Sequence, residues 1–412
     1  MPLRAAACSQ PQPRPRPFPA LDPAGGRGGK TLREQILLHP DGYIGPLEKR
    51  TQKLWVRDGV YMAQRLVTYS PGLLKIFDEM LVYAADGKQR DPAMDILRVN
   101  IDVVNCRISV YNNGEGIPIE IHQGEGVYVP EKIFGHISNF DPDAEEDGIT
   151  RKRNGFGVKL ANIFSTEFVV EIADGPSQKK YNQVFSENMG KKSEPKITGH
   201  RKGVNYSWTM VTFKPDLAKF NMTHLEEDVI ALMQKRVFDM AGILGGTVQV
   251  VCNGRKMHLP RGFRDFGYQY MPVSIHNLPD LPWVYEEVND QWKVGVTLSG
   301  GEFQQVSFVN KVATISGGTH VDYVSDLIVA HVVSFMKGTL EMDNIKEHDV
   351  KRHLMVFINL LMENPTFSSP TKEALTTPKE GFGSDLEFSE PFLMRAILGN
   401  VYFAYVVNYQ RS

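Results

Sequence analysis

The chain has 412 residues, room for two or three domains and a substantial core. Its net charge of −2 excludes a global basic field that would recruit nucleic acid, so any such contact must come from local patches. Three cysteines, Cys8, Cys106 and Cys252, stand too far apart for a disulfide framework or a cysteine-rich zinc site, and no apolar run reaches transmembrane length.

Residues 1–29 are rich in Pro, Arg, Gly and Ala and carry no acidic residue before Asp22, which predicts a disordered segment. Its arginines admit an organelle-import peptide as a minor alternative, but serine is sparse and alternating Pro-Arg breaks an amphipathic helix. The run Ala24 to Thr31 mimics a P-loop, yet Arg14 to Pro19 before it cannot form the strand that such a loop follows. From Pro71 the spacing turns helical: Leu73, Phe77, Met80, Leu81 and Ala84 share one face, and Glu79, Tyr83 and Asp86 share another. Strands are expected over Leu97–Val103 and Arg107–Asn112, the second ending in the turn Asn112-Asn113-Gly114-Glu115-Gly116. Val158–Phe164 reads as a helix, Phe168–Ile172 and Met210–Phe213 as strands, and Leu225–Ile243 as a long helix. Val248–Cys252 and Lys256–Leu259 flank Asn253-Gly254 as a hairpin. Turn residues over Pro260–Pro282 suggest a boundary. Strands Trp292–Leu298 and Phe303–Val309 flank Gly300-Gly301, and helix His320–Met336 and the apolar segment Leu354–Met362 follow. The order of elements predicts two α+β domains in series.

Three stretches have the makings of one nucleotide site. Glu79 on a helix is suited to orienting a water as a base, and the residue one turn later faces the same cavity. In the turn after the strand, Gly114 and Gly116 let the backbone approach a flat ligand, while an Asn side chain bonds a base edge. Asn154-Gly155-Phe156-Gly157 leading into a helix offers backbone N–H groups to phosphates, with Lys159 nearby. Each stretch alone is as readily a solvated glutamate, a hairpin turn or a tight cap; their order and spacing together carry the assignment.

The chain resembles the N-terminal ATPase region of eukaryotic, plant-like type IIA DNA topoisomerases, relatives of gyrase B and sensor histidine kinases. The matching text includes Pro40 to Gly45, Lys75 to Glu79, Ala84 to Asp91, Tyr128 to Gly135, Arg153 to Ser165, Phe213 to Leu217, Gln304 to Asn310, Gly317 to Val324 and Glu363 to Phe367, within a likeness over about residues 31–395. The resemblance implies a Bergerat-type (GHKL) ATPase domain, a helix/sheet sandwich, over 30–260, an α+β transducer domain over 261–398, and a divergent tail over 399–412. It implies ATP and Mg2+ as cofactors and a nuclear, dimeric gate for DNA that closes on ATP. Carried over, Glu79 is the base, Asn112 an adenosine contact, and Ser138 and Asn139 the ribose contacts. Arg153, Asn154, Gly155, Phe156, Gly157, Val158 and Lys159 form the phosphate loop. Thr371 belongs to the transducer motif, and Lys372 senses the γ-phosphate. Lys337, Lys346, Lys351 and Arg352 are what remains of a DNA-facing basic loop.

Several positions depart from the family pattern. Tyr83 stands where the family has the asparagine that holds magnesium, and a neutral phenol is a poor ligand for a hard cation; Asp78 or Asp86 are the candidates to replace it. Arg151 and Lys152 replace two glycines, Pro370 replaces a glutamine, residues 137–150 are rebuilt, and Arg27 falls where the family's arm carries an aromatic. The chain ends at Ser412 without the family's DNA-cleavage domains, so the expectation is that it neither cuts nor rejoins DNA as written. Two readings follow: an ATP-hydrolysing gate that forms homodimers, or a non-catalytic relative that binds nucleotide, DNA or a full-length topoisomerase II subunit. Neither involves a membrane.

Overall fold

The computed structural model describes residues 30–59, 61–137, 156–199, 206–271 and 283–401. The expected site residues Ser138, Asn139, Arg153, Asn154 and Gly155, like Arg27, Arg151 and Lys152, lie outside the described residues. Among the described residues the fold is α+β, built on two main sheets and one separate hairpin.

The hairpin pairs β1 (Arg50–Asp58) with β2 (Tyr61–Tyr69), Arg50 opposite Tyr69. Helix α1 (Leu32–Leu38) precedes it, with Thr31 and Glu34 forming a reciprocal capping box. Helix α2 (Pro71–Ala85) starts where expected: Ser70 caps it by accepting from Leu73 N–H, and Pro71 takes the first position, where a missing N–H costs nothing.

The N-terminal sheet has nine described strands. They are β3 (Ile96–Asp102), β4 (Arg107–Asn112), β5 (Ser165–Asp174), β6 (Lys179–Ser186), β7 (Lys191–Lys192), β8 (Lys196–Gly199), β9 (Trp208–Pro215), β10 (Gln249–Cys252) and β11 (Arg255–Lys256). The order is β11-β10-β3-β4-β9-β5-β6-β7, with β8 also on β6. The strands alternate buried and exposed residues, the mark of a sheet with one covered face. That face packs on α2, on a short helix, α3 (Phe156–Ile163), and on a long one, α4 (Glu227–Leu244). The predicted hairpin after Asn253-Gly254 is present, but its second strand is only two residues long, at the sheet edge just before Pro260.

Helix α5 (Phe263–Tyr268) leads to the C-terminal sheet of β12 (Val284–Glu287), β13 (Trp292–Leu298), β14 (Gln304–Val309), β15 (Val312–Ala313) and β16 (Leu354–Leu360). The two strands flanking Gly300-Gly301 do not pair with each other. The apolar segment after helix α6 (Thr319–Leu340) returns as β16 and inserts between them, antiparallel to β13 and parallel to β14. Every residue of β16 is buried. Alternation sorts them: Leu354, Val356, Ile358 and Leu360 join the C-terminal core with α6, whereas Met355 and Phe357 join the N-terminal core. Phe357 meets Trp283 and Tyr270 edge-on, with ring centroids 5.0 and 5.3 Å apart. One strand is therefore the wall between two cores.

Truncating that wall should be costly. Phe357→Ala is expected to lose about 3–5 kcal/mol in urea unfolding, the range for a buried Phe→Ala change. A loss under about 1 kcal/mol would mean that the two cores do not share this strand.

Candidate functional site

Period-2 alternation along β4 sends Ile108, Val110 and Asn112 to the covered face. Asn112 thus ends the strand facing α2, and its Oδ1 accepts from Gly114 N–H at 3.1 Å. The neighbouring asparagine does something else. Asn113 Oδ1 accepts from Ile96 N–H at 2.8 Å and its Nδ2 donates to Asp95 at 2.6 Å, so it ties the turn to β3. The cleft beside Asn112 is lined by Tyr83, Gly87, Arg90, Gly114, Glu115, Gly116, Ile117 and Thr209. Gly116 has φ +86°, a left-handed conformation that lets the turn bend against Ser207.

One turn before Tyr83, α2 places Glu79 between two lysines. Lys75, one turn earlier, forms an ion pair with Glu79 Oε1, and Lys372 Nζ reaches the same oxygen at 3.0 Å. Burial alone would raise the Glu79 carboxyl; the charges of Lys372 and Lys75 overcome it and hold the group down to about 2. Burial pushes Lys75 down to about 8, with Glu79 resisting and the like charge of Lys372 adding to the push. Gly157, in the first turn of α3, lies so close that any side chain there would overlap the Glu79 carboxylate. The glycine in this loop therefore seats the helix against the carboxylate. Its neighbour Phe156 is 6.1 Å from Tyr43, while the Val158 side chain is buried in the core. Lys159 follows on the same helix.

Lys372 sits in a turn closed by its own N–H to Ser369 C=O at 2.9 Å. Pro370 is the second residue of that turn, the place where a fixed φ is favourable, so its ring suits the local backbone. Thr371 Oγ1 bonds Ser369 Oγ at 2.8 Å. The next residue, Glu373, pairs with Arg50 of β1, which anchors the loop to the N-terminal half.

Tyr83 holds the expected magnesium position, and its described neighbours are an aromatic ring and a guanidinium. Tyr83 is buried, packs edge-on against Phe134 at 5.4 Å, and has the Arg90 guanidinium 5.2 Å from its ring centre. Burial pushes its phenol up to about 12, so it stays neutral at ordinary pH. Neither expected substitute is available: Asp78 is paired with Arg236 at 2.6 Å, and Asp86 with Lys311 at 2.7 Å. Among the described residues no three His, Cys, Asp or Glu side chains come together. A role for Asp78 or Asp86 at a metal would require rearrangement, because both carboxylates neutralise buried cations in this structure.

Of the four expected DNA contacts, Lys337, Lys346 and Arg352 are exposed. Lys351 is already committed to Asp326 at 2.9 Å and Asp322 at 3.5 Å. Sequence reasoning missed Lys75, Arg90, Thr209, Arg236 and Lys311. Only Lys75 had a usable signal, its i, i+4 spacing from Glu79.

The Glu79 cluster has a pH signature. Its folded value is depressed from 4.5 to about 2, so the stability it contributes is present above about pH 4.5 and is lost as pH falls towards 2. The stability gap between wild type and Glu79→Gln should shrink by roughly 3 kcal/mol as pH falls from about 4.5 towards 2. A gap unchanged down to pH 2.5, in about the range where a carboxylate so held must titrate, would contradict the two-lysine arrangement.

Comparison with known proteins places this geometry. A family model described as DNA gyrase B matches residues 262–387. DNA topoisomerase 2 of Arabidopsis thaliana is 54% identical over 382 residues, covering 89% of this chain and 26% of that protein. DNA topoisomerase 2 of Pisum sativum is 53% identical, covering 88% and 25%. The crystal structure of the ATPase region of Saccharomyces cerevisiae topoisomerase II superposes with a TM-score of 0.82 at 41% identity, covering 93% of this chain and 98% of that one. The chain spans about a quarter of the length of these curated relatives. With that identity across most of its length, the chain belongs to the type II DNA topoisomerase family and corresponds to its ATPase region.

Proposed function

We propose that this chain is the ATP-operated gate region of a type II DNA topoisomerase, in which ATP binding draws two copies together and couples their closure to DNA strand passage. One observation carries the reading. Lys372, 293 residues from Glu79 along the chain, reaches across to its carboxylate. A nucleotide's terminal phosphate entering beside Glu79 competes for that lysine, so occupancy of the cleft is felt in the C-terminal sheet. In this reading residues 30–260 form the nucleotide domain and 261–398 the transducer. Asn112 bonds the base edge, Gly114 and Gly116 admit the ring, and the first turn of α3 with Lys159 faces the phosphates. Thr371 supports the Lys372 turn, and Glu79 orients the attacking water. DNA contact is weak, carried by Lys337, Lys346 and Arg352 on a chain of net charge −2, and the location is nuclear.

The direct test is sedimentation of the purified chain with and without ATP. ATP should shift monomer to dimer, and Lys372→Ala should weaken that shift roughly tenfold while nucleotide binding falls less. A chain that takes up no nucleotide at about millimolar concentration would remove the reading.

A second reading, a gate that binds nucleotide without turning it over, is favoured by the burial of neutral Tyr83 at the expected metal position and by the pairing of Asp78 and Asp86. It predicts that ATP affinity is the same, within about twofold, in magnesium and in EDTA. It also predicts hydrolysis in Tyr83→Asn and none in wild type. Equal turnover in both, abolished by Glu79→Ala, would reject it.

A further inference from the structure

A second ion pair joins α2 to the C-terminal sheet, and the gate reading does not use it. Lys311 lies in the two-residue turn between β14 and β15, with φ +69° next to Asn310 at +48°. Two left-handed residues make a tight hairpin turn, a conformation that suits Asn and penalises Lys. Lys311 is nevertheless buried. Its Nζ lies 2.7 Å from Asp86 Oδ1 at the C-terminal end of α2, and its carbonyl accepts from Arg236 Nη2 at 2.9 Å. Arg236 in turn holds Asp78 on the same face of α2.

The turn is also tied to the loop that carries Lys372. Asn310 donates to Met362 C=O at 2.8 Å and accepts from Met362 N–H at 2.9 Å, and Met362 follows directly on β16. The C-terminal sheet therefore grips α2 at two points about 10 Å apart along its axis: Glu79 through Lys372 and Asp86 through Lys311. The grips differ. The Lys372 side chain is 24% exposed and Glu79 keeps a second cation in Lys75, so this contact exchanges readily when a phosphate arrives. Lys311 and Asp86 are both buried, and among the described residues Asp86 forms no other ion pair, so separating them strands a charge.

We propose that Lys311 is a positioning residue for the nucleotide site, the fixed contact about which the C-terminal sheet turns on α2 and which keeps Lys372 within reach of Glu79. The inference rests on the gate reading for its consequence on closure, and on the geometry alone for the coupling of Lys311 to Lys372.

The test uses the full chain and three variants. Lys311→Met keeps the apolar stem and removes the charge, Asp86→Asn removes the partner charge, and Lys311→Arg keeps it. Acylation of Lys372 by a water-soluble succinimidyl ester, read by mass spectrometry without nucleotide, reports whether Lys372 sits on Glu79. Labelling of Lys372 should rise about fivefold in Lys311→Met and Asp86→Asn and stay near wild type in Lys311→Arg, while exposed Lys191 labels alike in all. The two charge-removing variants should bind trinitrophenyl-ATP within about threefold of wild type yet lose roughly tenfold in ATP-driven dimerisation. Lys372 labelling at the wild-type rate in either charge-removing variant, with a native circular dichroism spectrum, overturns the proposal. The two variants back each other if one does not fold. A wild type that takes up no nucleotide ends the gate reading, while the labelling still decides the coupling.

Discussion

A buried helix that carries three carboxylates cannot stand alone. Asp78, Glu79 and Asp86 on α2 have side chains only 13%, 13% and 11% exposed, and a charge that far from water must find a cation or give up its ionisation. One turn of α2 supplies Lys75; everything else comes from a distance. Arg236 arrives from α4, Lys372 from the loop after β16, and Lys311 from the β14–β15 turn. The demand for neutrality on one helix thus fixes how the N-terminal sheet, the long helix and the C-terminal sheet meet. The apolar wall of β16 makes the same junction rigid on its other side, with Phe357 in one core and Val356 and Ile358 in the other.

The same accounting of charge describes the surroundings of Tyr83, the position that departs from the family pattern. The Asn112 turn keeps its internal hydrogen bond, and Gly157 keeps its close approach to Glu79. The replacement at Tyr83 is absorbed by packing, since the ring finds Phe134 on one side and the Arg90 guanidinium on its face. Packing of this kind keeps the fold but provides no hard oxygen donor, and the two nearby carboxylates are spent on buried cations.

Much of the candidate site was legible in the chain because its signals are local. The i, i+4 spacing placed Glu79 and Tyr83 on one face of a helix, period-2 alternation pointed Asn112 inward, and the glycines marked close approaches. Pro370 reads in sequence as the replacement of a glutamine; in place, it is the second residue of a turn, where a fixed φ is favourable. Lys351 is expected to face DNA; in place, it also forms surface ion pairs with Asp326 and Asp322. In both cases the neighbours were not legible, because for Pro370 they depend on the backbone turn and for Lys351 they come from another part of the chain.

Sequence by itself determined the ancestry, the existence of the two α+β units, the helix that carries Glu79 and the anomaly at Tyr83. These follow from short-range periodicity and from motif text, which depend on residues within a few turns of one another. Only the tertiary structure decided that β16 inserts between β13 and β14, that Asp78 and Asp86 pair with Arg236 and Lys311, and that Lys311 and Lys372 close on the same helix. Strand order and part-buried ion pairs join residues up to 323 positions apart. No local pattern encodes such pairings, because what selects them is the joint cost of desolvating charge and exposing apolar surface over the whole fold.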